Sequence, residues 1–195
     1  VRQAIDLLVR RGMLSRRRGS GTYVRDPGQE VDLFSLAGTS SAFQKKGIDV
    51  DVRLLVPPQK IRVAEGAENP FASGTAFFLS RLNRVDELPV LLEEIYLHPV
   101  LFKGIETMDL RGRSLAQVVD ADFYLRPTGG RQTFRIGYLE KKRAAAMDVG
   151  PRTPVLTVHR FLNFKPADNA IFSVLYCNTT TFVFSQRIGG LNHEE

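Results

Sequence analysis

The chain has 195 residues, 43% of them hydrophobic and 25% charged, with formal net charge +6 and one cysteine. That content supplies one sizeable core plus a small appended module. The lone Cys177 excludes an internal disulfide, and no apolar run approaches the roughly 20 residues of a membrane-spanning helix. With no signal-peptide pattern either, the expected setting is a reducing cytoplasm. The charge is unevenly placed. Residues 1–25 hold seven arginines (Arg2, Arg10, Arg11, Arg16, Arg17, Arg18 and Arg25) against Asp6 alone, so this stretch carries the whole +6 and the remainder is neutral. Two parts with such different charge meet different partners.

At 100° per residue, Val1, Ala4, Ile5, Leu8 and Val9 share one sector, while Arg2, Gln3, Asp6 and Arg10 fall roughly opposite. This predicts a helix stopped at Gly12, with Arg10 and Arg11 suiting its C-terminal dipole. Two short strand-like runs then flank Gly19-Ser20-Gly21, which predicts a hairpin. A helix followed at once by a basic hairpin is the second half of a winged helix-turn-helix. Its helix enters a major groove and its wing lays arginines along phosphates. Arg2 and Gln3 have side chains that read guanine and adenine edges. A merely solvated basic surface is the alternative, but here the arginines sit on one helix face and a glycine-tipped hairpin.

Residues 1–24, VRQAIDLLVRRGMLSRRRGSGTYV, resemble the end of the GntR-type winged-helix signature. The resemblance implies base or phosphate contact by Arg2, with Gly19, Ser20, Gly21 and Thr22 as the wing tip, and the basic helix face and hairpin add Gln3, Arg10, Arg16, Arg17 and Arg18 as expected DNA contacts. It also implies preceding helices that this sequence does not contain, so the DNA reader is expected to be N-terminally incomplete.

Residues 25–30 (RDPGQE) are polar and hold Pro and Gly, which predicts a linker. The expected division is 1–25 for the partial DNA reader, 26–33 for the linker and 34–195 for a second domain. Residues 38–47 suggest a short helix ending at Gly47. Residues 50–63 alternate but contain Pro57-Pro58, which predicts an edge strand or two short strands. Residues 75–85 and 89–97 form the clearest hairpin, turning over 86–88. Helical turns are expected at 99–106, 114–119 and 140–147. A strand over 132–139 enters from a turn at 127–130, and 154–164 with 170–184 make a last long hairpin. Long antiparallel strands with short helices make an α+β domain.

Side chains alternate along a strand. Leu91, Glu93, Ile95 and Leu97 share a row, as do Phe77, Leu79, Arg81 and Asn83, and the turn sets Arg81 opposite Glu93. Arg160 interrupts Leu156, Val158 and Leu162 in the same way. Inward charges are costly unless paired. The cluster is therefore either an internal salt bridge or a polar pocket where arginine takes an anion and glutamate takes hydroxyl or amine donors.

The run RLNRVDELPVLLEEIYL at 81–97, then Gly112-x-Ser114-Leu115, then Val158-x-Arg160 and a long hairpin, resembles the UTRA effector domain over about residues 34–186. That domain follows the GntR winged helix in one branch of the family, the HutC-like one, and shares the chorismate-lyase fold. In members that bind sugar phosphates, the resemblance assigns effector contacts to Arg81, Glu93 and Ser114, with Tyr176 as the late tyrosine. Asn83 stands where a second arginine is expected, and Thr39 lies near the expected loop serine. Ser114 also reads as a plain helix N-cap, though a serine at a helix start is well placed for an anion.

The expected protein is a ligand-responsive, DNA-binding transcription regulator, read as a repressor. Its expected partners are double-stranded palindromic DNA, a second copy of itself, and a small anionic effector of the sugar-phosphate or organic-acid class. No catalytic residue, metal or cofactor is expected. His98, His159 and His193 lack metal-ligand spacing, and no glycine-rich phosphate loop follows a strand. The alternatives are a lyase-like enzyme on the same fold and an architectural DNA binder.

Overall fold

A computed structural model describes residues 2–10, 14–17, 19–24, 30–32, 42–43, 47–66, 68–180 and 182–185, with backbone alone for Arg2, Arg10, Ser15, Arg17, Val24 and 30–32. The predicted helix is α1 (Arg2–Arg10), with Ile5, Leu8 and Val9 half-buried and Gln3 and Ala4 exposed. The hairpin follows as β1 (Leu14–Arg17) and β2 (Gly21–Val24), paired antiparallel from Leu14↔Val24 to Arg17↔Gly21. Its turn uses positive φ at Gly19 (79°) and Gly21 (118°), a backbone region open to glycine. Arg16 Nη2 donates to Asp6 Oδ1 at 2.8 Å and ties the hairpin to the helix.

The second part is built on a six-stranded antiparallel sheet. Its strands are β4 (Asp51–Arg62), β5 (Thr75–Val85), β6 (Leu88–Leu97), β7 (Pro127–Tyr138), β8 (Pro154–Phe164) and β9 (Ala167–Cys177), in spatial order β4-β5-β6-β9-β8-β7. The predicted edge position of residues 50–63 holds. β4 runs through Pro57-Pro58 as one strand, and its register against β5 slips on both sides of Val56. Proline cannot donate to a ladder, so it is tolerated only at such an edge.

The β5–β6 turn comprises Asp86 and Glu87, both at positive φ (48° and 68°), the backbone of a two-residue type I′ hairpin. This puts Arg81 opposite Glu93, as the sequence predicts. Residues 127–130, expected as a turn, are already strand, with a register slip between Pro127 and Gly129. The last hairpin also differs from expectation. It turns at Lys165-Pro166, β9 ends at Cys177, and 183–185 form a separate strand, β10 (Val183–Ser185), beyond the turn at 179–180. β10 pairs in parallel with β3 (Glu30–Asp32). Of the helix expected over 38–47, only Ala42 and Phe43 are described as helical.

Register assigns the two faces of the sheet. Phe77, Leu79, Ile95 and Leu97 on one face pack with the 3-10 turn Ile105–Thr107 and with α2 (Leu115–Phe123), through Leu115, Val118 and Val119. Further along that face, Leu91, Val158, Leu175 and Cys177 are covered by Phe43 and Phe182, whose rings meet edge to face at 5.7 Å. The opposite face packs Leu82 and Leu92 against α3 (Lys141–Ala146) through Ala144 and the adjoining Met147.

Candidate functional site

The face under α2 and Phe182 holds a row of buried polar side chains. Arg81 and Glu93 are 4% and 2% exposed, and Arg81 Nη2 donates to Glu93 Oε2 at 2.6 Å. Asn83 Nδ2 reaches the same oxygen at 3.5 Å. Arg160 and Ser173, paired across β8 and β9, are also buried and share this face with Arg81 and Glu93. Gln132 of β7 extends the row, opposite Arg160.

Burying two charges costs several kcal/mol per ion unless pairing and further hydrogen bonds offset it, on the order of magnitude known for such pairs. Here the offset is incomplete. Among the described residues, Arg81 Nε, Asn83 Oδ1 and Gln132 Oε1 are buried with no hydrogen-bond partner. A donor and two acceptors lie along one sheet face beside two guanidinium groups. Such a row has donors and acceptors of the kind that match a small molecule carrying both anionic and hydroxyl or amine groups.

Ser114 is buried and stands at the N-cap of α2, but its side chain makes no capping bond. That weakens the plain N-cap reading of its hydroxyl. Cys177 lies at the end of the row. Burial pushes its thiol well above its ordinary range, nearby Arg160 pulls it back and Glu93 adds to the rise, so the thiol stays protonated at neutral pH.

Tyr176, expected among these groups, is not brought to them. It pairs with Leu92 and Thr157, one residue out of phase with Glu93, so its side chain lies on the opposite face. There it packs beside Arg143, whose guanidinium carbon sits 5.2 Å from the ring centroid. Arg143 binds both carboxylate oxygens of Glu94, at 2.8 and 3.0 Å. Burial first, then the Glu94 carboxylate, raise the Tyr176 hydroxyl far above its ordinary value, while Arg143 opposes them. This cluster joins α3 to the sheet. Thr39 and Arg18 lie outside the described residues.

Ser173 and Gln132 are the polar members that sequence reasoning missed. Register was the available signal: a turn at Lys165-Pro166 sets Ser173 opposite Arg160. A hairpin begun at residue 170 loses that pairing.

Of the predicted DNA contacts, Gln3, Arg16, Gly19, Ser20, Gly21 and Thr22 are exposed on α1 and the hairpin, while Arg2, Arg10 and Arg17 are placed by backbone on the same elements. Arg16 spends its charge in part on Asp6. No group of three or more His, Cys, Asp or Glu among the described residues is arranged to hold a metal. No described helix is long and apolar enough to cross a membrane.

A helix and a basic wing thus precede an antiparallel sheet that carries a polar row beneath a short helix. The UTRA domain family model matches residues 70–181, more than half of the chain. The HTH-type transcriptional regulator YurK of Bacillus subtilis is 26% identical, over 95% of this chain and 78% of that protein. In fold, PhnF from Mycobacterium smegmatis aligns with TM-score 0.71 at 18% identity, covering 97% of this chain and 84% of its own. YydK from Bacillus subtilis aligns with TM-score 0.68 at 15% identity, covering 97% and 82%. The chain belongs to the UTRA domain family.

Proposed function

We propose that the protein is a sequence-specific DNA-binding repressor whose affinity for a palindromic operator is set by a small anionic metabolite. The metabolite binds beneath α2, in the row formed by Arg81, Asn83, Glu93, Arg160 and Ser173, with Ser114 at the helix start. The observation that carries this reading is the buried Arg81–Glu93 pair with unmet polar atoms beside it. A purely structural pair gains by having its remaining hydrogen-bonding groups satisfied.

Residues 1–25 act as the DNA reader and 34–195 as the effector domain, in a cytoplasmic homodimer. The joining stretch, 26–33, ends in β3, which pairs with β10. Phe182, directly before β10, belongs to the same buried cluster as Cys177 and Leu91 at the end of the polar row. Ligand binding therefore has a packed route to the linker, and shifts the population of DNA-competent orientations.

Thermal-shift screening of sugar phosphates and organic acids tests the pocket. A stabilising compound whose effect is lost in Arg81→Ala and in a folded Glu93→Gln supports it, and recovery of that compound unchanged separates binding from turnover. Absence of any stabilising anion would sink the pocket reading. For the DNA arm, full-length protein should prefer its operator over random duplex, with affinity falling steeply as salt rises.

A further inference from the structure

We propose that Asn83 sets this pocket for a small monocarboxylate bearing a hydroxyl or amide N–H donor, and against phosphate esters. This rests on the effector reading above and names the class of compound within it. Two observations carry it: the atom that Asn83 presents, and the amount of charge the site holds.

Asn83 is wholly shielded from water, and Arg81 and Glu93 are nearly so. Its amide has one end that donates and one that only accepts. Glu93 decides which end points where. Glu93 Oε2 accepts from Arg81 Nη2 at 2.6 Å, and Asn83 Nδ2 is turned toward the same oxygen at 3.5 Å. The reverse orientation sets a carbonyl oxygen against a carboxylate oxygen, two acceptors with no proton between them. Oδ1 therefore faces away from the pair, and among the described residues nothing donates to it. A buried carbonyl left in that state is costly, and a ligand N–H or O–H relieves it. An anionic phosphate oxygen does not, because it brings a second acceptor.

Charge points the same way. The buried charged side chains among the described residues are Arg81, Arg160 and Glu93. Two cations and one anion leave the site at most one unit of positive charge. The thiol of Cys177 stays neutral beside Arg160 and Glu93 and adds none. A carboxylate balances that single charge. A phosphate monoester carries roughly −1.5 to −2 at pH 7, so part of its charge enters the interior without compensation.

Arg81 supplies the complementary donor, since its buried Nε has no acceptor among the described residues. Arg81 and Asn83 lie two residues apart on one face of β5, about 7 Å along the strand. One small molecule thus sets a carboxylate oxygen on Nε and a donor on Oδ1. Leu91, opposite Asn83, and Cys177 beyond it give its carbon frame an apolar wall.

Matched probes that differ at one end separate the two chemistries: glycerate against glycerol 3-phosphate, gluconate against glucitol 6-phosphate, and glucuronate against glucose 6-phosphate. In calorimetric titration of the full chain, at least one carboxylate should bind about tenfold or more tighter than its phosphate partner, the worth of one buried hydrogen bond. Asn83→Leu removes the unmet carbonyl, so it should melt no lower than the parent yet lose that preference. Asn83→Arg adds a cation in place of the acceptor and should turn the preference toward the phosphate. If it does not fold, Asn83→Leu decides alone.

A phosphate that binds as tightly as its carboxylate partner overturns the inference. So does an Asn83→Leu chain that keeps the preference or melts several degrees lower, since Oδ1 is then satisfied without ligand. If phosphates bind and Arg81→Ala abolishes their binding, the pocket reading stands and this inference falls. If no probe of either kind binds, both fall.

Discussion

Glu93 stands in a strand row otherwise made of Leu91, Ile95 and Leu97, and it survives there because Arg81 faces it. Removing the carboxylate alone leaves a charged guanidinium buried, so Glu93→Ala should cost about 3–5 kcal/mol in urea denaturation. The double change Arg81→Met with Glu93→Leu removes both charges and should come within about 1–2 kcal/mol of the parent while abolishing ligand stabilisation. If the double variant is as unstable as the single one, packing rather than pairing governs this site.

Cys177 gives a pH signature. Its thiol is raised in the folded state, so above the ordinary thiol value near 9 the folded chain holds a proton that the unfolded chain releases. That contribution is fully present below about pH 9 and declines as pH rises, by up to about 1.4 kcal/mol per pH unit. Comparing the pH dependence of unfolding between the parent and Cys177→Ala isolates it, because the cavity cost of the substitution is the same at every pH. The raised Tyr176 hydroxyl has the same sign but starts from its own ordinary value of 10.0.

At the scale of elements, turns and close approaches decide stability. Glu87 occupies the left-handed region in a two-residue turn, where a side chain is strained. Glu87→Gly should therefore stabilise by about 0.5–1 kcal/mol, net of the entropy glycine loses, and raise the melting temperature by a few degrees. Gly130 shows the opposite constraint. A Cβ there would lie 2.3 Å from the Phe161 carbonyl oxygen, so Gly130→Ala must push β7 off β8 and should cost about 1–3 kcal/mol in denaturant melts.

The β5–β6 hairpin was legible in advance because its alternation is unbroken and its turn short, so Arg81 opposite Glu93 follows from counting. β9 was not, because apolar residues at 182–184 prolong the strand pattern beyond Cys177. The backbone instead turns at 179–180, where Thr180 N and Oγ1 both donate to the Asn178 side-chain oxygen.

For the whole molecule, the proposed coupling runs from the polar row through Phe182 to the β10–β3 pair and the linker. Phe182→Ala should leave the ligand-induced thermal shift in place while reducing the effect of ligand on operator affinity. Allosteric couplings of this kind are typically about 5–150-fold, so the loss is measurable by paired titrations with and without ligand. Unchanged coupling in Phe182→Ala would rule this route out. Under the proposed function, the segregation of charge into residues 1–25 makes DNA affinity electrostatic and salt-dependent, and leaves its tuning to the neutral domain.

What this sequence determined by itself is whatever depends on neighbours along the chain. That covers the amphipathic α1, the basic glycine-tipped wing, the edge strand marked by two prolines and the facing Arg81 and Glu93, together with the family resemblance these patterns carry. Tertiary structure alone decided what depends on strands brought together from afar. It placed Tyr176 on the far face with Arg143 and Glu94, and joined Ser173 and Arg160 to the Arg81–Glu93 row. It also paired β3 with β10 across some 150 residues. The reason is the two-residue period of the strand: a shift of one position in where a hairpin turns moves every side chain beyond it to the other face.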